Sequence, residues 1–573
     1  MRIRWLALVP ALLAIALLTR PTPAPEPVPG FRPSFDDDHA PPPPGLPRTV
    51  GADFGFEAHA SAGVDPPDCA LAVGPDHLVV PRNGRMRVFT KAGNLTYGAP
   101  LYGPSGFFQT ITTGFAFDPV ALFDPHSQRF FVIAGRRTPE RIHLKVSADT
   151  DPNGTWFDYE FDTTPFGTDT DFPCLGIDAN VLYIAVKMED TPNDPTRRSF
   201  SFLVEKAPLL TGAVPLVESV EFNNNQYSVP FSGVTTYDPE APAQYFATSP
   251  RGGSGGATVL RIRAVTDPLT SPQAWSTSVD ITDWSALDNV PQLGTTNRVD
   301  VEPSRFYKNG VYRNGSLWVA NAGAPGPGSD HVQVRWYEVS MNGWPSSGDS
   351  PSLAQEGIVD LGTNSLGDTI STFYPDLAVD AQGNLAIAFN RVSTDEYVSV
   401  ARGYRSVSDA PGTLSEVVTV REGTHPHTSS RWGDYSTLRE DPVTPGRFWF
   451  HVEYREAAWK TWVGSFLGDA AVAAPTVAPS PTGLSLAAAH PNPFRGRTSF
   501  AYALGRPAPA TLTIHDAAGR RVRTLVDGAV SAGAHTTTWT GRSDAGTPVP
   551  AGVYFARLLS SGEVRSRKIT HLP

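Results

Sequence analysis

Charged residues, cysteine and long apolar runs are all scarce in this sequence. Their scarcity argues against particular partners, cross-links and membrane spans. Asp, Glu, Lys and Arg make up 18% of the 573 residues, and acidic residues exceed basic ones by 11 (57 − 46). Lys and Arg are not clustered in any long segment, which argues against nucleic acid or an anionic membrane surface as a partner. After Leu18 no segment is apolar enough to span a bilayer.

The motifs of several enzyme and metal-binding classes are missing too. The chain has no HExxH pair and no Gly-rich phosphate loop ahead of a helix. His425 and His427 lie close together without a further ligand nearby, so we interpret them as part of a loop and predict no metal site. The stretch 149–154 resembles half of a calcium loop but lacks the closing Glu, so calcium is the one cofactor left open.

Only two cysteines are present, Cys69 and Cys174. Both belong to predicted inner strands, but of the first and third repeating units described below. With one unit between them, their Cα atoms should lie beyond the limit of about 7 Å for a disulfide. The sequence therefore predicts two buried free thiols.

The N-terminal residues predict export. Arg2 and Arg4 precede an apolar run over 5–18, which is followed by small and Pro-rich residues. This pattern is typical of a secretory signal peptide, assigned to 1–24. The run is shorter than the roughly 20 residues that span a bilayer, so a permanent anchor is the weaker alternative and no transmembrane segment is expected in the mature chain. Residues 25–49 are Pro-rich and predict an extended linker.

Proline and glycine are abundant, with 55 and 51 residues, and predicted helices are few, which favours a turn-rich all-β protein. Residues 374–390 show the repeating unit, in which two apolar runs with strand alternation flank the polar tract 380–384. Gly383 in this tract suits a tight turn, so the unit predicts a β-hairpin. Seven such hairpins can be identified, the fourth and fifth of them degenerate, at 68–80, 118–134, 171–186, 231–248, 304–321, 374–390 and 432–454.

The spacing of these hairpins predicts a β-propeller. Intervals of roughly 50 to 75 residues leave room for two more strands per unit, as in a four-stranded blade. Strand patterns at 141–147 with 156–161, and at 397–404 with 415–420, supply such outer strands. Closing the blades into a ring removes the exposed edges of the terminal sheets. We predict seven blades over 50–468, with six or eight as alternatives because 248–300 could hide or lack a unit, and a string of immunoglobulin-like domains as the structural alternative.

Chemistry in such a ring is expected where the innermost strands begin, around the central axis. Two carboxylates about 6 Å apart repel by roughly 3 kcal/mol at an effective dielectric near 20, so a ring of acids would need a cation or arginines. The alternative interpretation is that each Asp caps its own turn. The acidic residues at this position are Asp68, Asp118, Asp171, Glu302, Asp376 and Asp434.

Three hypotheses for the propeller follow from these positions. A binding module for a glycan or a protein needs only aromatic and polar groups. A glycoside hydrolase or lyase needs two carboxylates about 5 to 9.5 Å apart, and Asp434 paired with Asp376 or Asp68 is the candidate set. A structural surface-layer protein needs no discrete ligand. The candidate ligand-binding residues are Trp432, Tyr374, Tyr435, Arg431 and Arg305.

Past Phe466 the composition shifts to Ala, Pro, Val and Ser, which predicts a second linker at 469–483. Residues 484–573 then form a separate domain. Alternating strand patterns at 511–515, 536–539 and 553–559 predict a β-sandwich close to the usual immunoglobulin-like size.

This C-terminal domain carries a specific resemblance. Its succession of motifs is Pro491-Asn492-Pro493-Phe494, Asp516-Ala517-Ala518-Gly519-Arg520-Arg521-Val522, Trp539-Thr540-Gly541-Arg542, Gly546, Pro550-Ala551-Gly552-Val553-Tyr554 and Arg567-Lys568-Ile569. In this succession it resembles the C-terminal sorting domains of bacterial type IX secretion cargo, and equally the Ig-like domain of the flagellar hook-capping protein. The resemblance implies that 484–573 engages the outer-membrane secretion machinery of a Gram-negative-type bacterium, followed by surface attachment or release. A folded spacer is the alternative.

The propeller region resembles uncharacterised secreted bacterial proteins of sialidase-like architecture, through 431–436 and the repeated Asp-Pro hairpins. The turn 147–156 loosely resembles the Asp box of sialidase-like propellers, with two extra residues. These resemblances imply a fold and no activity. We therefore expect a secreted or cell-surface propeller that binds a glycan or a protein. The alternative is a glycoside hydrolase or lyase that uses the axial carboxylates.

Overall fold

The computed structural model describes residues 54–60, 66–111, 114–167, 169–189, 198–223, 233–248, 257–301, 309–429, 431–468 and most of 484–572. The chain divides into two compact units, Met1–Val472 and Ala473–Pro573. The predicted signal peptide 1–24 and the predicted linkers 25–49 and 469–483 lie outside the described residues. None of the helices in the described ranges has the length and apolar character of a membrane span.

Strand β1 (Phe54–Ala60) precedes the first blade. Each of the first three blades has four antiparallel strands in sequence order. The first two are separate four-stranded sheets, and the third is part of a nine-stranded sheet. Their strands are β2 (Ala72–Val73), β3 (His77–Arg82), β4 (Arg85–Thr90) and β5 (Leu95–Pro100); β6 (Ala116–Asp124), β7 (Arg129–Arg136), β8 (Arg141–Ser147) and β9 (Trp156–Asp162); and β10 (Asp169–Ile177), β11 (Val181–Glu189), β12 (Arg198–Glu205) and β13 (Val217–Asn223). A short 3-10 turn (Thr164–Phe166) and a one-turn helix α1 (Lys206–Leu209) interrupt them.

The remaining propeller strands form a fourth to a seventh blade and one inserted hairpin. They are β14 (Gly233–Thr236), β15 (Gln244–Thr248), β16 (Ala257–Thr266) and β17 (Gln273–Trp284); the hairpin β18 (Asn289–Val290) and β19 (Val299–Asp300); β20 (Asn309–Arg313), β21 (Ser316–Gly323), β22 (Gln333–Ser340) and β23 (Ser352–Val359); β24 (Ser371–Val379), β25 (Leu385–Ser393), β26 (Glu396–Arg405) and β27 (Glu416–Arg421); and β28 (Thr437–Glu440), β29 (Arg447–Arg455) and β30 (Trp459–Leu467).

The innermost strands form a closed ring. Each first strand contacts the next in the order β2, β6, β10, β14, β20, β24 and β28, and β28 contacts β2 again. The described residues thus form a seven-bladed β-propeller, which confirms the predicted fold. The described part of 248–300, residues 248 and 257–300, holds outer strands of the fourth blade and the β18–β19 hairpin.

The N-terminal strand closes the ring. Strand β1 pairs antiparallel with β30, from Phe54 opposite Ser465 to Ala60 opposite Lys460, and so becomes the outermost strand of the seventh blade. The Lys460 ammonium lies 2.8 Å from the Glu57 carboxylate across this pairing. A blade built from both ends of the propeller sequence leaves no unpaired terminal sheet edge at this seam.

Local sequence explains the hairpin turns. In the sixth blade the Asp380 carboxylate accepts hydrogen bonds from the backbone N–H groups of Gln382 and Asn384, both at 2.9 Å. Gly383 between them has φ +91°, which glycine adopts without steric cost. In the second blade Asp124 accepts from the N–H of His126 at 3.0 Å in the same way. The Asp at the end of β6 and the Asp after β24 therefore cap the turns that follow.

The fourth blade departs from the predicted hairpin. Strand β14 pairs parallel with β20, with Gly233 opposite Asn309, and with β10 through Ile177 opposite Thr235. A Cβ at Gly233 would lie 2.4 Å from the carbonyl of Leu175, so only glycine permits this approach. The Gln244 side chain of β15 links back to β14, donating to the Val234 carbonyl at 2.8 Å.

The C-terminal unit is a β-sandwich of two sheets, with strand orders β31-β32-β35 and β34-β33-β36-β37. Its buried core includes Phe500, Leu512, Ile514, Trp539 and Leu558. In β36 buried and exposed residues alternate from Tyr554 to Ser560, as the two-residue period of a half-buried strand requires. The strands are β31 (Ser485–Leu486), β32 (Thr498–Leu504), β33 (Ala508–Asp516), β34 (Arg521–Val530), β35 (Gly533–Trp539), β36 (Gly552–Ser560) and β37 (Glu563–His571).

Candidate ligand site at the strand-start end of the propeller

Four residues at the start of the inner strands share an unusual backbone conformation. Asp68, Asp118, Phe172 and Tyr374 all have φ between +49° and +53°. In β6, β10 and β24 this residue lies in a bulge, where the pairing with the second strand shifts register. Positive φ is sterically costly for residues other than glycine, and such strain concentrates at functional sites. This position marks the strand-start end of the propeller, where each blade begins its first strand.

Tyr435 of the seventh blade reaches across this end of the axis. Its hydroxyl donates to the Asp118 carboxylate of the second blade at 2.7 Å. Its ring meets Phe172 of the third blade edge-on, with centroids 5.0 Å apart, and Cys174 packs beside them. Tyr435 is only 5% exposed. The side chain therefore connects three blades that are distant in sequence.

Asp68 and Asp434 lie side by side. The backbone N–H of Asp434 donates to Asp68 Oδ1 at 3.1 Å. Asn83 donates from Nδ2 to Asp68 Oδ2 at 2.6 Å, and its Oδ1 accepts from the N–H of Asp118 at 2.8 Å. The Asp434 carboxylate forms an ion pair with Arg431. Asn83 thus bridges the first and second blades, and Asp68 links the first to the seventh. We call Asp68, Asn83, Asp118, Phe172, Asp434 and Tyr435 the axial cluster.

Asp376 lies outside this pair. Its buried carboxylate accepts from Arg439 Nη1 at 3.0 Å and from the N–H of Leu438 at 2.8 Å, which ties the sixth blade to the seventh. Of the two candidate acid pairs, the structure brings Asp434 together with Asp68 and engages Asp376 with Arg439. Arg431 and Arg439 thus offset the negative charge of Asp434 and Asp376. Glu302 and Arg305 lie outside the described residues.

The candidate aromatic rings are covered. Trp432 has no exposed surface, and its indole N–H donates to Asn390 Oδ1 at 3.4 Å. Tyr374 is 1% exposed. Both belong to a cluster with Val290 and Val299 of the inserted β18–β19 hairpin, which packs over them. Ligand contact by these rings stays a prediction, and in this structure neither ring has an exposed face for it. Arg431 remains half-exposed.

Gln292 anchors the inserted hairpin. Its side-chain amide accepts from the backbone N–H of His427 at 2.7 Å and donates to the His427 carbonyl at 2.8 Å. The His427 ring is buried and meets Trp432 edge-on at 5.0 Å. His425, its neighbour in the predicted loop, is exposed. The two histidines therefore have different environments.

A second group of residues at the same end was missed by sequence reasoning, apart from Asp171. Phe115 precedes β6 and is 49% exposed. Its ring lies 5.8 Å from that of Phe117, and the Arg137 guanidinium lies 4.8 Å from the Phe117 ring centre. Arg137 and Lys187 both pair with the Asp171 carboxylate, at 3.2 and 3.0 Å. We call Phe115, Phe117, Arg137, Asp171 and Lys187 the rim patch.

The two thiols are free and buried, as predicted. Burial raises the pKa of the Cys69 thiol well above its usual value, and the Glu453 and Asp68 carboxylates raise it further. A thiol with a raised pKa is a poor nucleophile because the thiolate is the reactive form. The Cys174 thiol lies 3.7 Å from the Phe172 carbonyl. Cys69 therefore lacks the lowered pKa that activates a catalytic cysteine.

Within the described ranges no group of three or more His, Cys, Asp or Glu residues is placed to hold a metal ion. In the calcium-like stretch, the Asp149 carboxylate accepts from the N–H of Asp151 at 2.8 Å. The Asp151 carboxylate in turn accepts from the N–H of Asn153 at 3.0 Å. The carboxylates therefore serve the turn between β8 and β9 as side-chain-to-backbone links.

Comparison with known proteins identifies the C-terminal domain most clearly. Residues 492–561 match the family model of the FlgD Ig-like domain. The basal-body rod modification proteins FlgD of Salmonella typhimurium and Salmonella typhi are each 46% identical over 65 residues. That match covers 11% of this chain and 28% of each relative. The resemblance of this domain to the hook-capping Ig-like domain is therefore confirmed.

Solved structures similar to the whole chain are distant. A fungal alcohol oxidase of the AA5 family, in complex with copper, shares 11% identity over 91% of this chain and 100% of its own, with a TM-score of 0.42. Trypanosoma rangeli sialidase with sialic acid shares 10% over 87% and 89%, with a TM-score of 0.36. Penicillium chrysogenum alpha-L-arabinanase with arabinobiose shares 10% over 62% and 98%, with a TM-score of 0.33. These likenesses support no conclusion about activity.

Proposed function

We propose that the propeller is a binding module that presents a ligand site at its strand-start end, for a glycan or a surface protein. The observation that carries this proposal is that the axial carboxylates are already bound by other groups of the protein. The carboxylates of Asp68, Asp118 and Asp376 each bond to a different blade. The Asp434 carboxylate pairs with Arg431, three residues before it. Carboxylates used in this way stabilise the ring and leave recognition to residues around it.

A glycoside hydrolase or lyase is the second candidate, and the closeness of Asp434 to Asp68 favours it over other reactions. Hydrolysis needs one carboxyl group to donate a proton and another to act as base or nucleophile. Asp68 is already bound by Asn83 and by the Asp434 N–H, and Asp434 is bound by Arg431. Hydrogen bonds to the charged form oppose the protonation that a catalytic acid requires.

The C-terminal domain is proposed to direct export, with 484–573 engaging the outer-membrane secretion machinery and placing the protein outside the cell or on its surface. Residues 484–573 contain 11 Lys and Arg and 4 Asp and Glu, a net charge of +7 (11 − 4), in a chain whose total is −11. The outer face of its larger sheet exposes a row of apolar side chains, and such patches favour protein contacts. They are Val553, Phe555, Leu559 and Val564, exposed by 36–43%.

The binding hypothesis is tested with the full-length chain and a panel of immobilised polysaccharides and surface proteins. Retention is scored by pull-down and released sugars by mass spectrometry. The proposal expects retention of at least one ligand without products. Asp434→Asn should then leave retention unchanged, because the amide still bonds locally, whereas a hydrolase would lose turnover.

Export is tested separately in the producing bacterium. Deleting 484–573 should leave the propeller in the periplasm, on the inner side of the outer membrane. Fractionation and immunoblotting with surface labelling measure its location. Surface exposure of the deleted form at the normal level would mean that the domain is a spacer. This result would leave the binding proposal standing.

A further inference from the structure

The outer face of the larger sheet in the C-terminal sandwich carries apolar side chains and cations together. From residue 554 to residue 560 of β36, every second residue is buried, so the exposed side chains between them point away from the core. In the pairing with β37, residues directly opposite each other lie on the same face of the sheet. We call five of these exposed residues the sandwich face: Phe555, Arg557 and Leu559 of β36, with Val564 and Lys568 of β37.

The register arranges these groups in rows across the two strands. Phe555 lies opposite Lys568, and Leu559 lies opposite Val564. Arg557 stands between the two rows on β36, about 7 Å along the strand from each. The three apolar side chains are 38–43% exposed. The sandwich face thus has a cation at its centre and apolar groups on both sides of it.

Both cations of the sandwich face are available to a partner. Arg557 and Lys568 are exposed, and within the described part of the chain neither side chain makes a hydrogen bond or an ion pair. Arg520 of the same domain, by contrast, pairs with Asp516 at 2.9 Å. The charges of Arg557 and Lys568 are therefore not offset by a direct contact.

The acidic residues of the domain bond elsewhere. Residues 484–573 contain four of them, against 11 Lys and Arg, which gives a net charge of +7 (11 − 4). They are Asp516, Asp527, Asp544 and Glu563, which bond to Arg520, Thr511, Thr524 and Arg565. Asp527 shares the outer face, but it lies on β34, two strands and about 10 Å from β36. The sandwich face therefore attracts negative charge.

We propose that the sandwich face docks an acidic protein of the export machinery. The partner places a carboxylate against Arg557 and apolar side chains against Phe555 and Leu559. This inference rests on the proposed export function of the domain and names the surface chemistry of its partner. An arginine–carboxylate bond is among the stronger hydrogen bonds in proteins, and the apolar contacts on both sides exclude water from it.

The mixture of groups favours a protein over other occupants. The aliphatic side chains of Leu559 and Val564 offer nothing to the hydroxyl groups of a polysaccharide. A bilayer that received Phe555 and Leu559 would also take up the charge of Arg557 between them, which is costly without a counter-charge. A second copy of the same face would bring like charges together. Protein interfaces, in contrast, are enriched in aromatic residues and arginine.

The test is site-specific crosslinking in the producing bacterium. The full-length chain carries p-benzoylphenylalanine in place of Phe555, and intact cells are irradiated. We expect a crosslink to one envelope protein, and mass spectrometry of the crosslinked peptides should locate it beside an Asp or Glu of that protein. Replacing this carboxylate by Lys should restore the crosslink in Arg557→Asp, which a fold defect would not permit.

Variants of the sandwich face give the expected magnitudes. Arg557→Asp and Lys568→Glu should each lower the crosslink yield, the first by about tenfold, as expected for a residue at the centre of an interface. Arg557→Lys should retain most of the yield. Arg506→Asp makes the same charge change at an exposed site in the turn between β32 and β33, and should retain all of it. Thermal unfolding of each full-length variant verifies the fold.

Three results would overturn the docking face. These are crosslinks only to lipid, polysaccharide or a second copy of the chain, a yield that Arg557→Asp leaves unaltered, and a charge exchange that fails to restore the crosslink. If deletion of 484–573 blocks surface exposure while Arg557→Asp reaches the surface normally, the docking face is wrong and the export proposal stands. If the deleted form reaches the surface, both fail.

Discussion

Tyr435 and Asp118 are 317 residues apart, yet the tyrosine hydroxyl donates a 2.7 Å hydrogen bond to the aspartate carboxylate at the propeller axis. The bond joins the seventh blade to the second and is buried on both sides. Removing the donor leaves a buried carboxylate without that hydrogen bond, and this lowers stability by more free energy than the bond itself contributes. The axial cluster therefore has a structural role that is independent of any ligand.

Tyr435→Phe removes only the hydroxyl and should lower the free energy of unfolding by about 1–3 kcal/mol. Urea denaturation of the full-length chain, followed by tryptophan fluorescence, measures this loss. Tyr397→Phe, at a half-buried tyrosine of the sixth blade, is the matched control and should change stability less. Equal losses in both variants would show that the Asp118 bond contributes nothing specific.

Acid should weaken the seam between the first and seventh blades. His59 on β1 and His451 on β29 are buried, with ring centroids 5.9 Å apart. Burial, with a smaller contribution from nearby Arg82, lowers the pKa of His451 to about 4. Burial, Arg82, Arg87 and the neighbouring histidine hold the pKa of His59 well below its usual value.

Both histidines are therefore neutral in the folded state, while the unfolded chain protonates them near pH 6.5. Their contribution to stability is complete above that pH and is lost as pH falls towards about 4, by up to about 1.4 kcal/mol per pH unit for each. The temperature of the unfolding midpoint should decrease when the pH is lowered from 7 to 5. His451→Gln should make this decrease smaller. His425→Gln, at an exposed site, should not.

The ion pair between Asp376 and Arg439 should matter for stability and not for ligand contact. Asp376→Ala leaves the largely buried Arg439 guanidinium without this carboxylate, which typically costs about 3–5 kcal/mol. Ligand binding per folded molecule should stay the same, as measured by titration of the active fraction. A variant of normal stability that no longer binds or turns over a glycan would instead place Asp376 in the site.

The approach of β14 to β10 depends on Gly233. Gly233→Ala would place a methyl group 2.4 Å from the Leu175 carbonyl, and overpacking of this kind costs about 1–3 kcal/mol. Gly326→Ala is the control, because nothing lies within 4 Å of its added Cβ. Similar unfolding midpoints for the two variants would show that β14 shifts easily and does not hold the third, fourth and fifth blades together.

The local features of the fold could be predicted from the sequence. Turn-capping residues such as Asp380 and Gly383 act within a few positions, so hairpins such as the one over 374–390 could be predicted. The fourth hairpin was wrong, because β14 pairs with β10 and β20. Closure of the ring followed from the cost of unpaired sheet edges. The strand that closes it could not be assigned, because the pairing of Phe54 with Ser465 joins the two ends of the propeller and has no local signature.

The candidate site was predicted less well, for a related reason. Sequence position placed Asp434 and Tyr435 near the axis correctly, but exposure depends on which distant segment covers a residue. Trp432 is buried in a cluster that includes Val290 and Val299, from a hairpin more than a hundred residues earlier in the chain. The rim patch was missed because Arg137 of the second blade pairs with Asp171 of the third, and a contact between blades has no local sequence signature.

The most direct test of the binding proposal is a parallel measurement of retention and released products for the wild-type chain and Asp434→Asn on the polysaccharide panel. The account predicts that both proteins are retained on the same ligand and that neither releases sugars. Products released by the wild-type protein and absent with Asp434→Asn would contradict it and make the axial carboxylates catalytic.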